Sequence, residues 1–330
     1  MKAKFVASNQ TRGKRFIGSY PLTQDGQQIT VDIPRGPHIE SVLVRVAGSA
    51  NITTTFASVR SNAVYRFLRK ADWVQNSNAT LDSVSGTQLA QLYFTRRNLP
   101  LQTVPAGFGI SVQPFEASYI FDRSLQDMMR PKDSMQKTDF GLSNNQMRLQ
   151  FGNLSDMFTG AGVASYTNVT ASVSVIDYQE AQDENGNTPS PNFYVKRNGF
   201  QVAIAAAANG QQVKLSTGNR LRAVSIRVLD ATTLEPNIAL LSRVRVKRAG
   251  DTRVDMPTTD LLRMNQADYG IALLTGQVVV DFAYDGALTG VFYSEFWPIP
   301  TSADTFLEVD TTAACVLEIA TLEGVDLVAP

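Results

Sequence analysis

The chain writes one strand-turn-strand phrase twice. "GQQITVDIPRGPHIESVLVRV" at residues 26–46 returns as "GQQVKLSTGNRLRAVSIRV" at residues 210–228. In the first copy Ile29, Val31 and Ile33 alternate with polar residues, as do Val42, Val44 and Val46. That period of two marks strands buried on one face, and Pro34, Gly36 and Pro37 separate them. The second copy keeps the alternation with Val213 and Leu215, then Val224, Ile226 and Val228, and Arg227 takes the outward slot that Arg45 fills earlier. A repeat that preserves which side chains face inward constrains the chain to two like units.

Four fainter echoes follow in the same order, which marks a tandem duplication. Residues 81–92, "LDSVSGTQLAQL", resemble 254–264, "VDMPTTDLLRM". Residues 117–124, "ASYIFDRS", parallel 289–296, "TGVFYSEF". Residues 147–153, "MRLQFGN", parallel 305–311, "TFLEVDT", and 170–178, "TASVSVIDY", parallel 313–321, "AACVLEIAT". Between the copies lies "QEAQDENGNTPSPN", residues 179–192, whose polar residues, glycine and prolines make an exposed connection. Helical signal is short: parts of 59–74, residues 123–129, and segments beginning near Ser85 and Thr258. Regular helices between strands, which a parallel α/β sheet requires, are missing. The expected fold is all-β: two tandem antiparallel jelly-roll sandwiches with a few short helices. The expected division is a basic arm over 1–15, a first jelly roll over 16–180, a linker over 181–193 and a second jelly roll over 194–330. A chain of 330 residues suits two such cores. Residues 123–148, rich in Met, Asp, Lys and Asn, read as an insertion present in one copy only.

Little here points to catalysis or a cofactor. There is no GxxxxGK[ST], no GxGxxG after a strand and no GxSxG. A single histidine, His38, and a single cysteine, Cys315, cannot supply a clustered metal site or a disulfide framework. "DENGN" at 183–187 alternates oxygen ligands but lacks the glycine and glutamate positions of a calcium loop, so it reads as linker. Trp73 and Trp297 read as core rather than a sugar platform. We expect no enzyme, no cofactor and no metal. Lys plus Arg equal Asp plus Glu at 30 each, and charged residues are 18% of the chain, so no global field draws it to nucleic acid or lipid. The longest apolar run, 202–208, is far below the roughly 20 residues that span a bilayer, and no signal peptide opens the sequence. The expectation is a soluble, non-exported chain.

One local charge cluster departs from that balance. The opening "MKAKFVASNQTRGKR" holds Lys2, Lys4, Arg12, Lys14 and Arg15 and no acid. A solvated terminus is the plain reading; an arm that meets the phosphates of an internal membrane or a genome is the functional one.

The paired openings at 26–46 and 210–228, with the paired closing strands at 170–178 and 313–321, resemble the double jelly-roll major capsid proteins of tailless icosahedral viruses, especially membrane-containing bacteriophages of the tectivirus and corticovirus type. The resemblance is architectural and covers nearly the whole chain. It implies a structural protein of the virion, synthesised in the host cytoplasm, whose homotrimers form pseudo-hexagonal capsomers of an icosahedral shell over an internal membrane. It also implies vertex (penton) and minor capsid proteins as partners beside the chain itself. Two like barrels per subunit give a trimer six lateral contacts. The alternative from another class is a phage receptor-binding or carbohydrate-binding β-sandwich protein.

Overall fold

The structure, a computed structural model, describes residues 12–35, 38–76, 79–95, 100–123, 136–137, 143–178, 193–215, 219–248, 251–270, 273–282, 297–298 and 305–326. Its principal strands fall into two sets of eight. The first set is β1 (Arg12–Leu22), β2 (Gln28–Asp32), β3 (His38–Thr54), β4 (Leu68–Gln75), β5 (Ala79–Val84), β6 (Ser111–Asp122), β7 (Asn145–Phe151) and β8 (Val163–Tyr178). The second is β9 (Phe193–Ile204), β10 (Ala208–Lys214), β11 (Arg220–Asp230), β12 (Leu241–Arg248), β13 (Asp251–Pro257), β14 (Gln277–Asp281), β15 (Thr305–Thr311) and β16 (Cys315–Asp326).

The first set builds sheets in the order β1-β8-β3-β6 and β2-β7-β4-β5, and the second set builds β9-β16-β11-β14 and β10-β15-β12-β13. Adding eight to each label of the first sandwich gives the second. These are two jelly rolls, and their strand order repeats without exception. Each encloses its own apolar core. Val42, Val44 and Val46 meet Val173, Val175 and Phe121 in the first, while Val224, Ile226 and Val228 meet Leu317, Ile319 and Val309 in the second.

The repeated "GQQ" has a structural cause. Gly26 and Gly210 both adopt left-handed backbone, at φ 70 and φ 71, a region a side chain resists. Each turns the chain at the start of an edge strand. The registers that follow match: Ile29 lies opposite Leu149, and Val213 opposite Leu307.

Three helices matter below. α1 (Ala63–Arg66) is a single turn, so the helical signal over 59–74 resolves mostly into β4. α2 (Gly86–Gln91) starts on a capping box, with the Ser85 side chain accepting from the Gln88 amide, and a 3-10 turn over Leu92–Thr95 continues it. α3 (Thr258–Tyr269) follows β13 and ends at Gly270, again left-handed at φ 59. Both α2 and α3 plug the same end of their sandwiches, with Leu89 and Leu261 in the respective cores.

Two of the echoes need correction. The strand equivalent to residues 117–122 is β14, Gln277–Asp281, whereas 289–296 lies outside the described residues. The closing echo finds the right strands but slips by three residues: Val173 lies opposite Val44 and Ile319 opposite Ile226, so Val173 matches Ile319 rather than Val316, and Cys315, Leu317 and Ile319 face the second core. The linker over 181–192, the residues 123–129 beyond Arg123, and most of the 123–148 insertion also lie outside the described residues, although Asn145 and the residues after it form β7.

Candidate functional site

The two sandwiches are joined edge to edge. β5 of the first pairs in parallel with β9 of the second through Asp82 opposite Arg197 and Ser83 opposite Asn198, merging two four-stranded sheets into one continuous sheet. A parallel contact of two residues is too short to hold two domains by itself, so the burden falls on side chains.

Those side chains are polar and deeply buried. Asp82 and Arg123 are both 0% exposed, and the Arg123 guanidinium donates to the Asp82 carboxylate and to the Val195 carbonyl at 2.6 Å while stacking 4.2 Å from the Trp73 ring. Burial lowers the Arg123 pKa to about 10 against the pull of Asp82. Arg197 lies 3.5 Å from the other Asp82 oxygen and donates to the Asp122 carbonyl. Removing one partner from such a cluster leaves an uncompensated buried charge.

α2 lies across the outer face of β9-β16-β11-β14. Thr87 Oγ1 donates to Glu318 at 3.1 Å, Gln88 Nε2 donates to the Phe200 and Ile319 carbonyls at 3.1 and 3.3 Å, and Gln91 Oε1 accepts from Ser225 at 3.2 Å. A Cβ on Gly199 would collide with the Gln88 carboxamide, so a side chain there would displace Gln88 from the Phe200 and Ile319 carbonyls. Beyond the helix, Leu92 and Phe94 join Val195, Ala223, Val279, Ala320 and Leu322 in a separate apolar cluster. Arg227, covered by this layer, is 0% exposed and held 2.9 Å from Glu318. Along the seam runs a groove of ≈ 730 Å³; two of its bases, Arg60 and Arg66, already donate to the Thr233 and Leu234 carbonyls.

Among the described residues, the equivalents of these seam elements on the other two edges have no such cover. β1 and β13 end their sheets. Arg45, in the slot of Arg227, has a side chain 50% exposed and forms a two-pronged pair with Glu116 at 2.6 and 2.7 Å. On α3, Asp260, Arg263 and Met264 face solvent.

The expected basic arm falls partly on this edge. Arg12, Lys14 and Arg15 lie in β1, paired with β8, so three of the five bases belong to a strand. Arg12 grips Glu40 with two bonds, at 2.7 and 2.6 Å, and Arg15 lies 2.7 Å from the buried Asp177. Lys14 is exposed. Lys2 and Lys4 lie outside the described residues. His38 opens β3, and burial raises the Cys315 thiol pKa. Among the described residues no group of His, Cys, Asp or Glu is placed to hold a metal ion, and no helix is long and apolar enough to cross a membrane.

Sequence reasoning missed the seam, although it left a trace. Residues 86–94, "GTQLAQLYF", carry no charge, and a helix whose polar face holds only neutral Thr87, Gln88 and Gln91 can be buried once those groups find hydrogen-bond partners. The equivalent "TTDLLRMNQADY" carries Asp260, Arg263 and Asp268.

The class these features define is the double jelly roll: two sandwiches of the same strand order fused in one chain. Solved structures with this architecture match the chain nearly end to end. The STIV MCP is 16% identical over 96% of this chain and 97% of its own, with a TM-score of 0.70. The major capsid protein P2 of bacteriophage PM2 is 14% identical over 97% and 100%, with a TM-score of 0.62, and the PBCV-1 virus capsid chain is 10% identical over 100% and 99%, at 0.64. No protein-family model and no curated protein sequence matches.

Proposed function

We propose that this chain is the major capsid protein of an icosahedral virus, a structural subunit that works by packing against copies of itself in the virion. The observation that carries the reading is the exact repetition of strand order along the chain, in an architecture shared over nearly full length with viral capsid proteins. The physical logic is geometric. A subunit with two like sandwiches presents nearly the same outline twice, so three subunits around an axis offer six lateral contacts and tile a surface as a hexamer would. In this reading the unit is a homotrimer with a pseudo-hexagonal outline, and penton and minor proteins fill the places the lattice leaves. The proposed division is a first jelly roll over 16–180, its first strand reaching back to Arg12, a connection over 181–193 and a second jelly roll over 194–330, whose first strand begins at Phe193.

The reading gives the arm over 1–15 the inner face of the shell, against a phosphate-bearing layer such as an internal membrane. Each Lys or Arg near an anionic surface contributes about 1 kcal/mol, so one arm binds weakly and many bind firmly together. Glu40 and Asp177 offset the charges of Arg12 and Arg15 within the chain, so the arm's free attraction rests on Lys2, Lys4 and Lys14. Light scattering of the purified protein tests the assembly: a mass of three chains supports the reading, and a monomer at high concentration contradicts it. Flotation with anionic liposomes tests the arm: replacing Lys2, Lys4 and Lys14 with Gln weakens salt-sensitive flotation if the arm meets lipid and leaves it unchanged if it does not.

A further inference from the structure

The groove along the seam gathers positive charge that the chain itself leaves partly unanswered. We infer that it binds a sugar phosphate, with the phosphate between Arg60 and Arg66 and the hydroxylated ring against Ser83 and Ser155. The inference stands on the groove's own geometry and holds or fails apart from the capsid reading.

The groove exists because two parallel strands part. β5 and β9 pair only through Asp82 with Arg197 and Ser83 with Asn198. Beyond that point β5 gives way to α2 while β9 runs on, and the walls become residues 83–85 on one side and 199–201 on the other. Ligand sites concentrate in crevices between domains, and ≈ 730 Å³ lies in the range of small-molecule pockets, well above what a bare ion fills. An extended peptide fits less well. Gln88 already accepts from the Ser85 amide at 2.8 Å and donates to the Phe200 carbonyl at 3.1 Å, so these facing strand edges have partners and the donors left for a ligand are side chains.

Those donors are chiefly guanidinium groups. Arg60 donates from Nε to the Phe158 carbonyl at 2.7 Å, and from Nη1 to the Thr233 carbonyl at 2.8 Å and to Glu235 at 3.0 Å. Arg66 donates from Nε to the Ser61 carbonyl at 3.3 Å and from Nη2 to the Leu234 carbonyl at 2.7 Å. Among the described residues, Arg60 Nη2 and Arg66 Nη1 have no acceptor. Arg69 bonds Asp156 through Nε and Nη2, which leaves its Nη1 as a third donor at the rim.

The charge around these donors favours an anion. Most anchors of Arg60 and Arg66 are neutral carbonyls, and the two side chains share a single carboxylate oxygen, Glu235 Oε1, at 3.0 and 3.7 Å. Burial holds the Arg66 pKa below its ordinary value, Glu235 opposes that shift, and repulsion from Arg227 and Arg60 adds to it; an anion beside both arginines would relieve the repulsion. The carboxylates in the wall are already held, Glu318 by Arg227 at 2.9 Å and Asp156 by Arg69 at 3.2 Å. Single nitrogens from separate guanidinium groups, rather than one two-pronged fork, suit a tetrahedral phosphate better than a planar carboxylate. The Ser83 and Ser155 hydroxyls also line the groove and have no hydrogen-bond partner among the described residues, and the half-buried Phe200 adds an apolar wall. A sugar ring carrying a phosphate presents both chemistries.

Calorimetric titration of the purified protein at low salt with glucose 6-phosphate, inorganic phosphate and glucose tests the assignment. Glucose 6-phosphate should bind saturably and about tenfold or more tighter than inorganic phosphate or glucose, and Arg66→Gln should weaken it by about tenfold or more. Arg66 also bridges the two sandwiches, so Arg69→Gln and Ser155→Ala, both at exposed side chains, are measured beside it. Each should weaken binding severalfold with an unchanged melting temperature, while Lys14→Gln on β1 should leave binding as it is. Inorganic phosphate binding as tightly as glucose 6-phosphate would overturn the sugar assignment. Absence of saturable binding, or wild-type affinity in Arg66→Gln, Arg69→Gln and Ser155→Ala alike, would overturn the site, and neither result touches the oligomer mass on which the capsid reading is judged.

Discussion

Arg227 and Arg45 occupy the same slot on matching strands, yet the first is sealed and the second is half open to water. The sandwiches around them have the same strand order, so the difference comes from neighbours alone. Arg227 lies under α2, Leu92 and Phe94 of the other sandwich. Among the described residues Arg45 pairs with Glu116. The side chains differ accordingly: the covered face carries Ala223, Ala320 and Leu322, where the other carries Ser41, Ser174 and Ile176, the last two half-buried. A duplicated fold thus records, in its two copies, which surface meets a partner inside the chain and which is left for a partner outside it.

Breaking the covered side should cost most. Asp82→Ala leaves Arg123 and Arg197 buried without their shared carboxylate, a loss of about 3–5 kcal/mol, read as a large fall in thermal or denaturant midpoint. Arg227→Ala leaves Glu318 with only neutral donors and should cost about 3 kcal/mol. Arg45→Ala should cost about 1 kcal/mol or less in the separated chain, because its pair with Glu116 is exposed. Equal losses at the two arginines would contradict the contrast drawn between them.

The apolar positions give a finer version. Leu92→Ala empties a packed site and should cost about 2–4 kcal/mol, whereas Met264→Ala should change the stability of the separated chain by less than about 0.5 kcal/mol. Chemical denaturation of both variants under conditions that keep the chain monomeric checks the pair.

The smallest effect concerns pH. On the open face of the second sandwich, a hydrogen bond from Arg245 holds the Asp310 carboxyl below its ordinary value, and one from Lys247 does the same for Glu308. A carboxyl with a depressed folded pKa stabilises the fold above its unfolded pKa, near 4, and loses that contribution as pH falls through the lower folded value. The unfolding midpoint should therefore drop on acidification below about pH 4, and Asp310→Asn should flatten part of that drop. A variant with the same acid slope as wild type would remove Asp310 from the account.

Much of the fold was legible because sandwiches announce themselves by alternation. Val42, Val44 and Val46 point inward for the same reason that Val224, Ile226 and Val228 do, and one face must be apolar in each case. Gly26 and Gly210 were legible as a repeated phrase, though only the backbone explains them. The echo at 289–296 misled because short apolar strands resemble one another, and β14 is only Gln277–Asp281. The seam was hidden for a different reason. Its determinants, Asp82, Arg123, Arg197 and Arg227, are charged residues that read as surface until a second sandwich covers them, and their partners lie more than 40 residues away or in the other copy. The basic opening read as an arm because Glu40 and Asp177, which hold Arg12 and Arg15, are remote in sequence.

The account turns on the claim that the chain's two sandwiches take equivalent places in a closed ring of copies. Electron cryomicroscopy of the purified oligomer tests it most directly. The account predicts three chains around an axis and six sandwiches in a near-hexagonal ring. A two-fold dimer, or a monomer at high concentration, would contradict it.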